Sequence, residues 1–474
     1  MVGLLLLAIL TPLVGSCLLP FASKVSERLR NILALVLVLV SFVCSIALLP
    51  SALSGDPVSF HVWLPLGMSF GFLADSLAIF MAMISSFIGA VIVFYSITYI
   101  AHAQNKNEYY VIVTLFIGAM MGLVYSTNIL FMYIFWEISA FSCWRLIGFY
   151  REEDNLIRAD KAFLITVFGA LVMLIGFILI YQQTGSFDIT EMKGAEITDL
   201  AVALILVGIF SKSATFPLHT WLPDAGVAPA PVTSLLHAAI LVKIGIYAYA
   251  RLFLISFTIS EIWSTVVPII AAISALVAAG AAMRSYDLKR IIAYSTVSQI
   301  GFIFLGLSTG NILSAAGGLL YILMHGLAKG GLFLCAGIVE HNAHTKDIRQ
   351  LGGLIKTMPV TAVAYLVCAF SVMGLPPFGG FFSKFMVISG AVAGESPWIA
   401  AVFVIGSLMT ILYMMRAFHA VFLGPPKIEA REGSKQMVGS VVGLAVLTLI
   451  GGLLVYYPSL LVQNIISQIG WFIS

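Results

Sequence analysis

The sequence predicts an all-α polytopic membrane protein with about fourteen transmembrane helices. Of its 474 residues, 61% are hydrophobic and only 9% are charged, whereas a soluble globular domain has roughly 45–50% apolar and about 25% charged residues. Apolar runs long enough to cross a bilayer recur along the whole chain. Because lipid cannot hydrogen-bond a bare backbone and these runs are too long for barrel strands, each run should form a helix. This composition excludes a water-soluble fold.

The apolar runs are separated by charged residues or by clusters of Pro, Gly and Ser. They fall, at approximate boundaries, at 3–20, 30–51, 71–100, 109–126, 127–148, 160–183, 198–219, 229–254, 262–282, 290–308, 312–339, 360–390, 397–423 and 437–459. We refer to them in this order as predicted spans 1 to 14.

The distribution of basic residues predicts the orientation in the membrane. Loops after odd-numbered spans contain 18 of the 24 Lys and Arg residues, and loops after even-numbered spans contain two, Lys193 and Arg251. Since cytoplasmic loops are the ones enriched in Lys and Arg, we expect both termini on the non-cytoplasmic side of a prokaryotic-type cell membrane. The net charge of +3 is too small to indicate nucleic-acid binding, so the lipid bilayer is the expected surrounding.

The cysteines give no sign of a metal centre. All five lie in apolar runs and none forms a C-x-x-C pair, namely Cys17, Cys44, Cys143, Cys335 and Cys368. Such residues are ordinarily small buried hydrophobic side chains. We therefore expect no metal and no cofactor in this chain.

A few ionisable residues lie inside the spans and carry the functional signal. They are Glu137, in the middle of span 5, and the lysines Lys212, Lys243, Lys329 and Lys384. Each such group costs ~2.5–3.5 kcal/mol near the bilayer centre, which is on the order of 15 kcal/mol for five. Structure alone rarely justifies that cost, so an ion or proton path is the leading interpretation. The alternative is a set of isolated salt bridges that hold helices together.

Two of these lysines lie where their helices should be interrupted. Pro217 removes a backbone donor shortly after Lys212 in span 7, and Pro376 and Pro377 precede Lys384 in span 12. Broken helices survive at bilayer depth only where protein or trapped water satisfies the freed backbone groups, and transporters place ion sites there. We therefore predict that spans 7 and 12 are broken helices.

The tripeptide Phe-Ser-Lys occurs at 210–212 and again at 382–384, five spans later. Because five is odd, two copies of a five-helix unit must be inverted with respect to the membrane. The resulting division is 1–108 for spans 1 to 3, 109–254 for the first inverted repeat, 262–423 for the second, and 424–474 for span 14 and a short tail.

Histidines supply groups that can change charge between the lysines. His325 and Lys329 are four residues apart, so they share one face of span 11. His237 and Lys243 are six apart and should serve different neighbours. His219 would share the face of Lys212 only on a straight helix, which Pro217 makes unsafe to assume. His219 and His237 are therefore secondary candidates.

Six motifs, in order, resemble a known family. They are HTWLPDA with LLHAAILVKIGIYAYARL (219–252), DLKRIIAYSTVSQIGF (287–302), MHGLAKGGLFL (324–334), TKDIRQLGG (345–353) and GLPPFGGFFSKF (374–385). The chain is similar in these segments to the antiporter-like, proton-translocating subunits of respiratory complex I, of multisubunit sodium/proton antiporters and of energy-converting membrane-bound hydrogenases. Asp224, in the first motif, is a further secondary candidate.

The resemblance implies a buried hydrophilic axis. On it, Glu137 is paired with Lys212, followed by Lys243, then His325 and Lys329, then Lys384. The implied function is a proton-translocating, or sodium/proton antiporting, subunit of a larger energy-converting complex that works by coupled pKa switching. The expected partners are other membrane subunits, with a peripheral redox arm as a further candidate. The alternatives are a stand-alone secondary transporter of a small solute and a purely structural membrane arm, and the choice between complex I, hydrogenase and antiporter stays open.

Overall fold

The computed structural model describes residues 1–64, 69–394 and 396–469, and these residues form a bundle of long helices. Within this described part, twelve helices are long and apolar enough to cross a membrane. They are α1 (Val2–Val25), α2 (Glu27–Leu53), α3 (Ser76–Tyr99), α4 (Lys106–Tyr125), α5 (Ile129–Ile147), α6 (Glu153–Thr184), α8 (Ala230–Ser256), α9 (Trp263–Arg284), α10 (Leu288–Ser308), α11 (Ile312–Ala343), α14 (Pro397–Phe422) and α15 (Lys435–Leu453). The shorter helices are α7 (Asp199–Lys212), α12 (Pro359–Met373), α13 (Gly379–Ala393) and α16 (Tyr456–Ile466). The chain is a predominantly helical, multi-pass membrane protein.

Both predicted interruptions are confirmed. Helix α7 ends at Lys212, so the second half of predicted span 7 is not a continuation of that helix. Predicted span 12 is two helices, because α12 ends at Met373, is followed by Gly374 with φ +83°, and α13 begins only at Gly379. A left-handed backbone of this kind is the ordinary way for glycine to end a helix.

Predicted span 3 was wrong at its start. The structure has a two-stranded antiparallel sheet, β1 (Val58–Trp63) and β2 (Ser69–Ala74), in which Val58 pairs with Ala74 and His61 with Gly71. Helix α3 begins only at Ser76, where the Asp75 side chain accepts a hydrogen bond from the backbone N–H of Ala78. A short apolar strand next to an apolar helix looks like one longer run in sequence.

Two other helices differ in detail from their predicted spans. Predicted span 14 continues past the end of α15 at Leu453, and a separate helix, α16, follows after two residues. Helix α8 contains two π-helical segments, Leu235–Ala239 and Ala250–Ser256. Segments of this kind are rare and often lie at functional sites, because they leave backbone carbonyls without their usual partners. The last residues of the predicted region 424–474 lie outside the described part.

The helices differ strongly in how deeply they are enclosed. In α8, α10 and α11, 94% of the most apolar 18-residue stretch is buried inside the protein, against 39% in α2, α6, α14 and α15. Helix α11 packs against α10, α12, α13 and α15 and against the first part of α8. The three most enclosed helices therefore form the centre of the bundle, and helices with one apolar face toward lipid surround them.

Polar contacts gather the loops at two opposite ends of the bundle. At one end, Asp224 forms ion pairs with Lys161 and Arg290, each at 2.7 Å, and these residues come from loops after odd-numbered predicted spans. At the other end, Asp188 accepts a hydrogen bond of 2.7 Å from Ser69, and both residues come from loops after even-numbered spans. Loops after odd-numbered spans thus contact one another, and loops after even-numbered spans contact one another.

The close approach at the break between α12 and α13 generates a stability prediction. A Cβ atom at Gly380 would overlap the backbone carbonyl oxygen of Ser371, whereas one at Gly439 in α15 would meet no atom within 4 Å. We expect Gly380→Ala to destabilise the fold by about 1–3 kcal/mol through overpacking. Gly439→Ala should leave stability unchanged or slightly raised, since alanine favours helix. Thermal unfolding of both variants in detergent measures the difference, and equal melting temperatures would contradict the packing described here.

Candidate functional site

Lys212 ends helix α7 and lies against α5. Its side chain is fully buried, and its ammonium group donates a hydrogen bond of 3.0 Å to the backbone carbonyl of Trp136. The same nitrogen lies 5.3 Å from the centroid of the Trp136 ring, a distance at which a cation is attracted to the ring face. The neighbouring residue Glu137 is close enough to interact electrostatically with Lys212.

The structure brings Glu137 and Lys212 together without an ion pair. Among the residues that the structure describes, no carboxylate lies within 4.0 Å of the Lys212 nitrogen, and Oε1 of Glu137 is buried without a hydrogen-bond partner. An unsatisfied buried carboxylate oxygen is costly. Glu137 and Lys212 are therefore close together without a direct ion pair. A small movement of either side chain changes the electrostatic interaction between them.

The interruption after Lys212 has its own hydrogen bonds. The indole N–H of Trp221 donates to the backbone carbonyl of Ser211 at 2.9 Å. The hydroxyl of Ser213 donates to the backbone carbonyl of Val242, next to Lys243, at 3.2 Å. These bonds satisfy carbonyls near the helix end and join α7 to α8, so the break is held by specific contacts.

Lys243 and His325 form the central contact of the site. The Lys243 nitrogen lies 3.2 Å from Nδ1 of His325, and it also donates a hydrogen bond to the backbone carbonyl of Ala238. Ala238 belongs to the first π-helical segment of α8. In the described part of the chain, Nε2 of His325 has no hydrogen-bond partner.

We refer to Glu137, Lys212, Lys243, His325, Lys329 and Lys384 as the row. Each of its last two members, Lys329 and Lys384, donates a hydrogen bond to a backbone carbonyl. Lys329 donates to the carbonyl of Ile292 at 3.0 Å and to the hydroxyl of Ser295 at 2.6 Å. Lys384 donates at 2.7 Å to the carbonyl of Val372, in the last turn of α12. Since α12 ends one residue later, that carbonyl lacks an intrahelical partner and is available.

The secondary candidates lie beside this row. His237 is fully buried with its ring against Phe333, at a centroid distance of 4.4 Å, and neither ring nitrogen has a hydrogen-bond partner among the described residues. His237 and Lys243 thus have different neighbours, as the spacing predicts. His219 is half-buried against Phe216, after the end of α7. Asp224 lies in the ion-pair cluster at one end of the bundle, away from the row.

Two of the buried cations that the sequence prediction counts as loop residues form ion pairs inside the protein. Arg251, which was counted as a loop residue, is buried in the second π-helical segment of α8 and forms a bidentate ion pair with Asp75, at 2.5 and 2.7 Å. Lys289 is buried and bonds at 2.8 Å to Glu340. Both lie within a few residues of a predicted span boundary, where a basic residue is indistinguishable from a loop charge. An acid near one span end that could pair with a base near another, as Asp75 does with Arg251, is the sequence signal that could have identified the buried ion pair.

The described residues contain no cluster of three or more His, Cys, Asp and Glu side chains that could hold a metal ion. Four of the cysteines are buried and one, Cys17, is exposed. The chemistry that the arrangement supports is the binding and release of protons at buried amines and an imidazole, with a carboxylate at one end of the row.

Comparison with known proteins gives matches over the whole chain. A family model described as "NADH:quinone oxidoreductase/Mrp antiporter, TM" matches residues 126–410, and one described as "NADH-Ubiquinone oxidoreductase (complex I), chain 5 N-terminus" matches residues 63–110. The Na(+)/H(+) antiporter subunit A1 of Staphylococcus aureus (strain Newman) is 34% identical over 98% of this chain, as is that of strain COL. The chain spans 62% of the length of these relatives.

Two solved structures have the same fold. One is the Mrp complex from Dietzia sp. DQ12-45-1b, with a TM-score of 0.92 and 23% identity over 100% of this chain and 99% of the matched chain. The other is the membrane-bound sulfane sulfur reductase, an archaeal respiratory membrane complex, with a TM-score of 0.89 and 23% identity over 98% and 97% of the two chains.

The buried pair of Asp75 and Arg251 generates a second stability prediction. Asp75→Asn leaves the guanidinium group buried without a counter-charge, which should destabilise the fold by roughly 3–5 kcal/mol. The double variant Asp75→Asn with Arg251→Gln removes both charges and should recover part of this loss. Thermal unfolding in detergent measures both effects.

The control for this prediction is a surface ion pair in a loop, formed by the exposed Arg349 and the half-buried Asp347. The Arg349 guanidinium, hydrogen-bonded to Asp347, holds the pKa of that carboxyl below its usual range. Exposed pairs contribute little to stability, so Asp347→Asn should leave the melting temperature unchanged. If Asp75→Asn had no larger effect than Asp347→Asn, the buried pair would not be a structural requirement.

Proposed function

The chain belongs to the NADH:quinone oxidoreductase/Mrp antiporter family of transmembrane subunits, and on that premise we propose that it translocates protons as a membrane subunit of a larger energy-converting complex. Its relatives in Staphylococcus aureus are Na(+)/H(+) antiporter subunits, which favours sodium/proton antiport as the overall activity. The site would be the row of Glu137, Lys212, Lys243, His325, Lys329 and Lys384.

The observation that carries this proposal is the bonding of the four buried lysines. Each donates to a backbone carbonyl, as described above, and none forms an ion pair within the described part of the chain. A carboxylate partner strongly favours the charged form of a lysine. A carbonyl accepts a hydrogen bond from an ammonium group and from a neutral amine alike. These lysines can therefore gain or lose a proton without losing their position.

The switching step would lie at Glu137 and Lys212. When Glu137 approaches Lys212, the charged form of the lysine is stabilised, and when it withdraws, Lys212 releases its proton toward Lys243. Moving one charge against a membrane potential of about 150 mV requires about 3.5 kcal/mol. A hundred- to thousandfold change in proton affinity corresponds to roughly 3–4 kcal/mol. One such change at Lys212 would therefore be large enough to move one proton against this potential.

The architecture behind this mechanism would be fourteen spans with two inverted five-helix repeats. Helix α7 would form one broken span and α12 with α13 the other, and each carries a Phe-Ser-Lys tripeptide with its lysine in the row. The repeats would be residues 109–254 and 262–423, after an N-terminal region 1–108 and before a C-terminal region 424–474.

We propose that other membrane subunits supply the energy for transport. A coupled movement of Glu137 requires a neighbour that changes state, and the matched solved structures are multisubunit complexes. In an antiporter complex, the downhill flow of one ion would drive the uphill movement of the other. In a respiratory complex, the electron-carrying cofactors would reside in partner subunits, and this chain would need none of its own.

The pair of Glu137 and Lys212 gives the functional prediction. Glu137→Gln keeps the shape of the side chain and removes its charge, so sodium-dependent proton movement should fall severely while assembly stays normal. Lys212→Met should have a similar effect. Because two residues acting as one unit are non-additive, the double variant should be no worse than either single variant. The assay is proton movement across everted membrane vesicles that contain the chain with its native neighbouring subunits.

Glu137→Asp is the matched control, since it keeps the charge on a shorter side chain and should retain part of the activity. If the losses in the two single variants multiply in the double variant, the residues act independently. That result would exclude the switching step proposed for this pair.

The orientation is a separate proposal, with both termini on the non-cytoplasmic side. Single cysteines introduced by Asp154→Cys and Arg431→Cys in a thiol-free variant should react only with a membrane-permeant reagent in intact cells. The Glu191→Cys variant should also react with an impermeant reagent. All three positions are exposed. Labelling of positions 191 and 431 from the same side would exclude this topology.

A further inference from the structure

A stripe of uncharged polar side chains on helix α10 faces the gap between Lys329 and Lys384. Ser295 and Gln299 are four residues apart on this helix and are fully buried, so they share one face. Tyr321 of α11 and Thr410 and Tyr413 of α14 meet them from two other helices. We call these five residues, Ser295, Gln299, Tyr321, Thr410 and Tyr413, the hydroxyl–amide cluster.

Hydrogen bonds connect this cluster to Lys329. The Lys329 nitrogen donates to the Ser295 hydroxyl at 2.6 Å, and the Tyr413 hydroxyl donates to the same oxygen at 3.0 Å. The Gln299 amide nitrogen lies 3.4 Å from the Tyr413 hydroxyl and 3.2 Å from the Thr410 hydroxyl, to both of which it donates. The first half of the cluster is therefore a continuous hydrogen-bonded chain that starts at the lysine.

The other half of the cluster leads to Lys384. The Tyr321 hydroxyl donates a hydrogen bond of 2.5 Å to Oε1 of Gln299. The Tyr321 ring lies 5.6 Å from the Lys384 nitrogen and 6.0 Å from the His325 ring, measured to the ring centroids. The Tyr321 ring thus packs near two residues of the row, Lys384 and His325. The side-chain amide of Gln299 connects the hydroxyl of Tyr321 to that of Tyr413 by hydrogen bonds.

We propose that the hydroxyl–amide cluster carries the proton between Lys329 and Lys384, with Gln299 as the residue that positions the two tyrosine hydroxyls. This inference rests on the proposed function. No residue of the cluster is ionised in the resting protein, so it adds no charge to the centre of the membrane.

The proton balance follows from the chemistry of each group. A hydroxyl both donates and accepts hydrogen bonds. Once the Tyr413 hydroxyl turns from Ser295 toward water and the Ser295 hydroxyl turns toward Tyr413, Ser295 can take a proton from Lys329 as it passes its own to Tyr413, and Tyr413 can pass its own on in turn. An amide does not readily take up and release a proton, so the proposal requires water molecules that enter during transport and bridge from Tyr413 to Tyr321 and from Tyr321 to Lys384. At the end Lys329 has lost one proton, Lys384 has gained one, and every hydroxyl has its original formula.

The structure supplies a matched control for this step. Tyr365 of α12 is a fully buried tyrosine whose hydroxyl has no hydrogen-bond partner among the described residues, and its ring packs against Phe418 and Phe422. Tyr365→Phe removes the same hydroxyl group as Tyr321→Phe and Tyr413→Phe, in the same kind of environment, away from the lysines.

The test compares these three variants with Lys329→Met in the vesicle assay, with rates corrected for the amount of assembled complex. Tyr321→Phe and Tyr413→Phe should each slow proton movement about tenfold or more, a smaller effect than the roughly 10²–10⁴-fold typical of a positioned general acid or base, and Tyr365→Phe should not. The double variant of Tyr321 and Tyr413 should be no slower than the worse single variant, because both lie on one route.

Two variants of Gln299 separate positioning from simple packing. Gln299→Met keeps the volume and removes all three hydrogen bonds of the side chain, so it should lower the rate at every pH. Gln299→Glu keeps the shape and adds a charge that favours the charged forms of the neighbouring lysines, so the pH profile of transport should move to higher pH. A residue with only a packing role would tolerate Gln299→Met, so a normal rate in that variant would contradict the positioning role.

The outcomes distinguish this inference from the function on which it rests. If Lys329→Met abolishes transport while the Tyr321 and Tyr413 variants behave like Tyr365→Phe, the cluster is not the route and the proposed function stands. If Lys329→Met itself leaves transport intact, the proposed function fails. Where a tyrosine variant does not assemble, Ser295→Ala removes one hydroxyl and little volume, and a normal rate in that variant would overturn the inference.

Discussion

The rest of this structure depends on one constraint. An amine buried in a helical bundle needs an oxygen atom that accepts its hydrogen bond, and here that oxygen carries no fixed negative charge. Backbone carbonyls meet this need at four places. Two of them, at Ala238 and Val372, lie where a π-helical segment or a helix end leaves the carbonyl without its normal partner. The other two, at Trp136 and Ile292, lie within helices and are shared with the helix. At Lys243 and Lys384 the irregular backbone is thus the counterpart of a buried lysine.

The arrangement of helices follows from the same constraint. The residues of the row that lie deepest, Lys243, His325 and Lys329, belong to α8 and α11, which with α10 are the most enclosed helices of the bundle. Lipid would provide no hydrogen bonds to these groups, and each would be costly on an outer helix. The outer helices, in contrast, expose large apolar side chains. Enclosure therefore decides which helices can carry ionisable residues.

The sequence was sufficient for the features that change hydropathy or charge. Glu137 and the four lysines stand out because each is an ionisable group in a long apolar run, and the two helix interruptions follow from Pro and Gly. Strand β2 could not be separated from α3, because its short and mostly apolar sequence fits either structure. Arg251 was hidden by its position near the end of a span. Ser295, Gln299 and Tyr413 could not be selected either, since uncharged polar residues are common in such helices and their contact depends on how α10, α11 and α14 pack.

The two ends of the row differ in a way that bears on the direction of transport. Lys212 has a carboxylate beside it, Glu137, whose side chain is neither locked in an ion pair nor fully hydrogen-bonded. Lys384 lies between the rings of Phe302 and Tyr321 instead, at 5.3 and 5.6 Å from their centroids. An aromatic face stabilises a cation by a fixed and modest amount, whereas a carboxylate that moves changes the interaction by much more. If the row carries protons, the end at Glu137 is the one that a neighbouring subunit can control, and the end at Lys384 responds to it.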